Sequence, residues 1–122
     1  MSDARRALGR RGEALVAAQL AAWGWPVRAT NWRCPLGELD IVAEDGDWLV
    51  IVEVRTRRGA RFGSPEDSVG WRKQTRLIRL GQAYVHAVGW EGPWRIDVVA
   101  VEFGSDGALD RLAHYPNVTE AM

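Results

Sequence analysis

The stretch GELDIVAEDGDWLVIVEVRTR, Gly37 to Arg57, decides how this chain folds. Two runs rich in apolar and β-branched residues, 38–43 and 48–56, flank Glu44-Asp45-Gly46-Asp47. Asp-Gly supports the positive φ angles of a tight turn, so the stretch predicts a β-hairpin. A two-residue loop (Asp45-Gly46) and a four-residue loop (44–47) both set Asp40 opposite Ile51 and Glu38 opposite Glu53. Opposed residues share a side and each strand alternates sides. Glu38, Asp40, Glu53 and Arg55 are thus expected on one face, which Val42, Leu49 and Ile51 make apolar near the turn. Leu39, Ile41, Ala43, Trp48, Val50, Val52 and Val54 form the other face, a core face. Two carboxylates directly opposed repel each other, so a cation is expected among them. Hard divalent ions favour carboxylate oxygens, which makes Mg²⁺ or Mn²⁺ the expected cofactor. The alternative is an ordinary solvated hairpin face, and a three-residue loop would break the constellation.

Outward from the hairpin, residues 4–23 predict a helix, with Leu8, Gly12, Leu15, Ala18 and Ala22 at helical spacing and Gly24 as its stop. Pro26 to Arg33 predicts a short strand, and Pro35-Leu36-Gly37 a turn. Ser64-Pro65-Glu66 reads as a helix start, with the helix running over 66–88. Trp94 to Phe103 predicts a strand, and 108–115 a weaker last one. The order α, β, β, β, α, β, β specifies an α/β domain with helices packed on a small mixed sheet. At 122 residues the chain is one domain, 1–122. Trp23, Trp48 and Trp94 are expected in its core.

Formal net charge is zero, from 16 basic and 16 acidic residues, but the charges segregate. Residues 36–53 hold six acids and no base, and residues 54–79 hold eight bases against Glu66 and Asp67. Neutrality therefore does not argue against a polyanionic partner; it makes the basic surface local. No apolar run exceeds that of Trp48 to Val52, which ends at Glu53, so no membrane span is expected. No secretory signal is expected either. The single cysteine, Cys34, excludes an internal disulfide and a cysteine-based zinc site. A cytoplasmic location is expected.

Asp40 followed by Glu53-Val54-Arg55 on the next strand resembles the PD-(D/E)XK nuclease signature. Glu13, in Gly12-Glu13-Ala14, resembles the glutamate that a preceding helix often adds. More specifically, the chain resembles the YraN family of bacterial proteins. The resemblance rests on Gly12-Glu13, Asn31-Trp32-Arg33, Gly37 to Val42, Val52 to Arg57, Phe62-Gly63, Lys73-Gln74, Arg95 to Val99 and His114, which together run over nearly the whole chain. It implies a restriction endonuclease-like α-β-β-β-α-β core with a mixed sheet flanked by helices. It also implies that Asp40 and Glu53, with Glu38 or Glu13, hold one or two Mg²⁺ or Mn²⁺ ions for phosphodiester hydrolysis. Arg55 stands where the signature has lysine. Arginine does not give up its proton at working pH, so it can clamp a phosphate but cannot be a general base. Lys73, the sole lysine, can supply an ammonium from the second helix, or be an ordinary solvated lysine.

Arg55, Arg57, Arg58 and Arg61, continued by Arg72, Lys73 and Arg76, are the expected phosphate-binding rim around the acidic centre. Arg5, Arg6, Arg10 and Arg11 lie on the first helix. Asp97 is expected to face away from Ile96 and Val98 and to pair with an arginine of the rim. The leading expectation is a metal-dependent endonuclease acting on DNA, branched or single-stranded, with Asp40, Glu53, Arg55 and Glu13 in catalytic roles. Small nucleases of this fold often embrace a duplex with two subunits, so a homodimer is an expected arrangement. The alternatives are a non-catalytic nucleic-acid-binding domain that keeps the fold, and an adaptor whose basic rim meets an acidic protein.

Overall fold

In the computed structural model, residues 3–59 and 71–119 are described, with side chains in the second block from residue 73. The elements are α1 (Asp3–Ala22), β1 (Val27–Cys34), β2 (Gly37–Asp45), β3 (Trp48–Arg58), α2 (Trp71–Val88), β4 (Trp94–Phe103) and β5 (Leu109–Tyr115). They follow the expected order. The expected helix start at Ser64-Pro65-Glu66 lies outside the described residues. Both helices end in one hydrogen-bond pattern. Gly24 N–H donates to Ala21 O and Trp25 N–H to Leu20 O; Gly89 N–H donates to His86 O and Trp90 N–H to Val85 O. This paired closure satisfies carbonyls that the last helical turn leaves without partners.

The five strands form one mixed sheet in the order β1-β2-β3-β4-β5. Only β3 and β4 are parallel, and α2 makes the crossover between them. A helix packs on each face. On one, Val16 and Leu20 of α1 bury Ile41, Ala43, Val50, Val52, Val99, Val101 and Phe103. On the other, Leu77, Leu80 and Tyr84 of α2 bury Leu39, Val42, Leu49, Ile51 and Ile96. The face predicted to be apolar only near the turn is therefore a second core, with its acids at the far end.

The hairpin register differs from the expected one. Asp45 pairs with Trp48, so Gly46-Asp47 is the loop, and Ile51 pairs with Val42 rather than with Asp40. Gly46 carries a positive φ of 58° at the first loop position, where a two-residue hairpin of this kind requires glycine. The shift is an even number of residues, so Glu53 and Arg55 stay on the predicted side. Glu38 does not oppose Glu53; its registered partner is Arg33 of β1.

Alternation also slips once. Leu39 packs in the α2 core and Ile41 in the α1 core, although two-residue spacing predicts one face. Between them lies Asp40, and Asn31 in the facing strand has φ of 51°, a left-handed conformation that bends a strand. From here the sheet divides. The β2–β3 pairing stops at Ile41 and Val52. β2 continues with β1 to Gly37, and β3 continues with β4 to Arg58.

α1 crosses this division at its closest approach to β3. A Cβ placed on Gly12 would overlap Thr56 Oγ1, whereas one on Gly9 meets nothing within 4 Å. Gly12→Ala is expected to cost about 1–3 kcal/mol through overpacking. Adding Thr56→Ala to it is expected to restore most of that loss in urea melts. A double variant no more stable than Gly12→Ala alone would contradict the contact.

Trp23 and Trp48 are not in the core: they are 40% and 41% exposed. Their rings have polar neighbours instead. Trp23 stacks near His114, with centroids 5.1 Å apart, and the Arg95 guanidinium lies 5.8 Å from the Trp48 ring. Trp94 does pack against the α2 core. Among the described residues, no helix is long and apolar enough to cross a membrane.

Candidate functional site

Where β2 and β3 part, their side chains and those of α1 and α2 enclose two cavities. The larger, about 850 Å³, is lined by Arg10 and Glu13 of α1, Asn31 and Arg33 of β1, and Arg55 and Arg57 of β3, among others. The smaller, about 210 Å³, has Glu53 and Arg76 in its wall and Leu77 and Leu80 as its floor. Glu38, Asp40, Arg55 and Lys73 line both. The acidic block and the basic block of the sequence thus meet in space at these four residues.

Asp40 is the pivot. Its Oδ2 accepts a hydrogen bond of 2.8 Å from the Val54 N–H, which occupies a backbone donor that the divided sheet leaves without β2. Burial, and next the neighbouring Glu53 carboxylate that also bonds to it, push the Asp40 carboxyl up to about 8; the Val54 N–H and Arg55 pull the other way. Glu53 makes a 2.7 Å ion pair with Arg55 Nη2.

Glu13 and Glu38 form a second carboxylate pair, joined by a residue that the sequence reading did not single out as functional. Asn31 Nδ2 donates to Glu13 Oε1 at 2.9 Å and to Glu38 Oε1 at 2.8 Å. Glu38 also pairs with Arg33 at 3.1 Å. Burial raises the Glu13 carboxyl, with Asp40 and Glu38 adding to the shift and the Asn31 hydrogen bond opposing it. The signal of Asn31 in the sequence is its place in Asn31-Trp32-Arg33, one of the stretches that carry the family resemblance; in the structure it takes a left-handed backbone with φ of 51°, which asparagine tolerates well.

Among the described residues, no group of three or more acids, histidines or cysteines is gathered tightly enough to hold a metal ion alone. The acids stand instead as two pairs. That arrangement suits Mg²⁺, which is commonly held by one or two carboxylates, with waters and substrate phosphates completing its shell. The Asp40–Glu53 pair fits such an ion, because two adjacent carboxyl groups line one cavity.

The expected basic rim is only partly gathered. Arg55, Arg57, Lys73 and Arg76 line the cavities. Burial and then Arg55 lower the Lys73 ammonium, with Glu53 opposing. Arg58 points elsewhere, donating to Ser105 O at 2.8 Å. Arg11 lies over the Phe103 ring at 4.3 Å and bonds to Gly107 O. Arg61 and the side chain of Arg72 lie outside the described residues. Arg10 lines the larger cavity from α1, although it was read only as part of a basic helix.

Asp97 does face away from Ile96 and Val98, but towards the α1 core, and it is 0% exposed. Its partners are Arg95 Nε at 3.0 Å, His114 Nε2 at 2.8 Å and the Asn117 N–H at 2.9 Å, not an arginine of the rim. Arg95 also reaches Asp45 at 3.0 Å. This cluster lines neither cavity and is structural.

A model of the uncharacterised protein family UPF0102 matches residues 12–101. The chain is 44% identical to a UPF0102 protein of Pelotomaculum thermopropionicum over 118 residues, covering 96% of this chain and 98% of that one. It is 49% identical to one of Moorella thermoacetica over 102 residues, covering 83% and 85%. A relative in Arthrobacter is 48% identical over 117 residues, covering 94% and 98%.

Proposed function

The chain belongs to the UPF0102 family, known also as YraN, and from that premise we propose that it is a Mg²⁺- or Mn²⁺-dependent nuclease of the PD-(D/E)XK kind acting on DNA. One observation carries the reading: a half-buried, hydrogen-bonded carboxyl pair, Asp40 and Glu53, lies in the wall of an arginine-lined cleft. Asp40 and Glu53 would hold the ion, with Glu38 in the wall of the same cavity. When bound, such an ion lowers the pKa of a coordinated water and neutralises charge developing on phosphate.

The chain's own groups do the rest. Arg55 lines both cavities and is oriented by its Glu53 ion pair, so its guanidinium holds a phosphate oxygen. Lys73, also common to both cavities, brings a second cation against the charge that grows as water attacks phosphorus. Its placement on α2 supplies the ammonium that position 55 lacks. Glu13, raised by burial, is a carboxylate suited to holding a proton within the cleft. The leucine floor of the small cavity excludes bulk water and strengthens each of these interactions.

The test is incubation of the purified protein with Mg²⁺ or Mn²⁺ and a panel of single-stranded, flapped, branched and duplex DNA. Metal-dependent cleavage is expected, with at least a roughly 100-fold loss in Glu53→Ala, in line with loss of an electrostatic group that stabilises the transition state. Equal residual nicking by wild type and Glu53→Ala would sink the reading. The Arg55–Glu53 ion pair favours a second reading, a DNA-binding domain without turnover, because it engages a carboxylate that a metal ion needs. That reading predicts tight binding in EDTA and no cleavage with either metal.

A further inference from the structure

The divided sheet defines a slot with unusual walls. One side is the β1–β2 arm, with Arg33 and Glu38; the other is the stretch of β3 beyond Val52, which carries Arg55 and Arg57. α1 closes one end, where Gly12 rests on Thr56, and leaves the other open at Gly9. Two guanidinium nitrogens on the β3 wall, Arg55 Nε and Arg57 Nη1, are buried and have no hydrogen-bond partner among the described residues. A buried charged donor left unbonded is costly, so these two side chains are held under tension by the fold, and both line the cleft, where the guanidinium groups match the geometry of an oxyanion such as phosphate.

Arg55 and Arg57 are two residues apart on one strand, so their side chains leave the same side of β3 and follow one another along the cleft that both line. The cleft volume, about 850 Å³, is that of sites that enclose one small ligand, roughly 300–1,000 Å³. A duplex, whose major groove alone is about 12 Å wide, does not enter it. Glu38, on the facing side, repels phosphates and favours a backbone held against the arginine wall.

We propose that the slot takes one unpaired DNA strand, running along β3 with successive phosphates seated on Arg55 and Arg57. This rests on the nucleic-acid reading above but not on turnover. It makes the substrate a single-stranded tail, flap or gap, and needs no second subunit to surround a duplex.

Fluorescence anisotropy in EDTA tests it, with a labelled 12-nucleotide oligo-dT and a blunt 12-base-pair duplex of mixed sequence. The single strand is expected to bind at least about tenfold more tightly than the duplex, as one fully excluded from the cleft should. Arg57→Gln is expected to lower the slope of log affinity against log salt by about 0.7, the release for one single-strand phosphate contact. Arg10→Gln, on the exposed side of α1 where folding is not at stake, is expected to lower it similarly. Equal affinity for strand and duplex, or unchanged salt slopes in both variants, overturns the proposal. A protein that cleaves DNA but binds duplex equally well loses this inference and keeps the hydrolytic reading. Strand-selective binding with the predicted slopes and no cleavage supports this inference and removes that one. No binding to either oligonucleotide at 50 mM salt or below, where phosphate contacts are strong, overturns both.

Discussion

Asp97→Ala is expected to destabilise the protein by roughly 3–5 kcal/mol, the usual result of removing one member of a buried ion pair. Asp97 is fully buried and receives Arg95, His114 and a backbone N–H. Its removal leaves Arg95, whose side chain is only 14% exposed, with Asp45 as its remaining carboxylate partner, takes the carboxylate from His114 and leaves the Asn117 N–H without its acceptor. Total stabilities of about 5–15 kcal/mol are typical, so a large share of the margin goes. The melting temperature should fall by about 10–20 °C, taking roughly 3–5 °C per kcal/mol for a chain of this size. Asp97→Asn retains acceptor capacity and should lose less. Circular dichroism melts measure both, and tryptophan emission should report the same transition, since Trp23 and Trp25 flank His114. A change under about 1 kcal/mol for Asp97→Ala, the scale of an ordinary surface change, would show that the cluster is not structural.

Asp40→Asn is expected to abolish metal-dependent cleavage, with a loss of about 10²–10³-fold, and to make the metal-free protein more stable at alkaline pH. The sign follows from its raised carboxyl, about 8 against an ordinary 3.8. Between those values the folded protein keeps a proton that the unfolded chain releases. Stability therefore declines as pH rises through this window and levels off above it. Glu13, shifted in the same direction by burial, adds to the decline. In Asp40→Asn the Asp40 share of the decline should vanish, a difference on the order of a few kcal/mol at pH 9. Mg²⁺ or Mn²⁺ should raise the wild-type melting temperature more at pH 8 than at pH 6, where protons compete. Identical pH profiles for wild type and Asp40→Asn would remove the buried-carboxyl account of the site.

Much of this was legible in the sequence. The strand Trp94–Phe103 has its predicted bounds, because β-branched residues crowd a segment with clear turn signals on both sides. Asp-Gly located the hairpin but not which residues form its loop, since a glycine serves either register. The sides of Glu53 and Arg55 survived because the true register is displaced by an even step. The slip between Leu39 and Ile41 was not legible: it follows from the left-handed backbone at Asn31, a tertiary choice that an asparagine permits but does not announce. Nor does alternation distinguish a wet face from a second buried one, which is why Asp97 looked available to the rim. Trp23 and Trp48 were misplaced for a related reason: large aromatic rings also serve at surfaces, here beside His114 and Arg95.

Strand order in the sheet equals strand order in the chain, and this governs how the molecule is assembled in time. The β1–β2–β3 meander joins near neighbours through short turns and closes by local contacts, whereas β3–β4 pairing must wait for the whole α2 crossover. Glu38, Asp40 and Glu53 ride on the early unit; Lys73 and Arg76 arrive with the late one. A chain leaving the ribosome therefore brings its acids together with Arg33 and Arg55 before the α2 cations reach them, with the β4-pairing edge of β3 still open. Divalent cations present during synthesis would meet the carboxylates at that stage, and the open edge is where a nascent chain of this kind is most exposed to pairing with another.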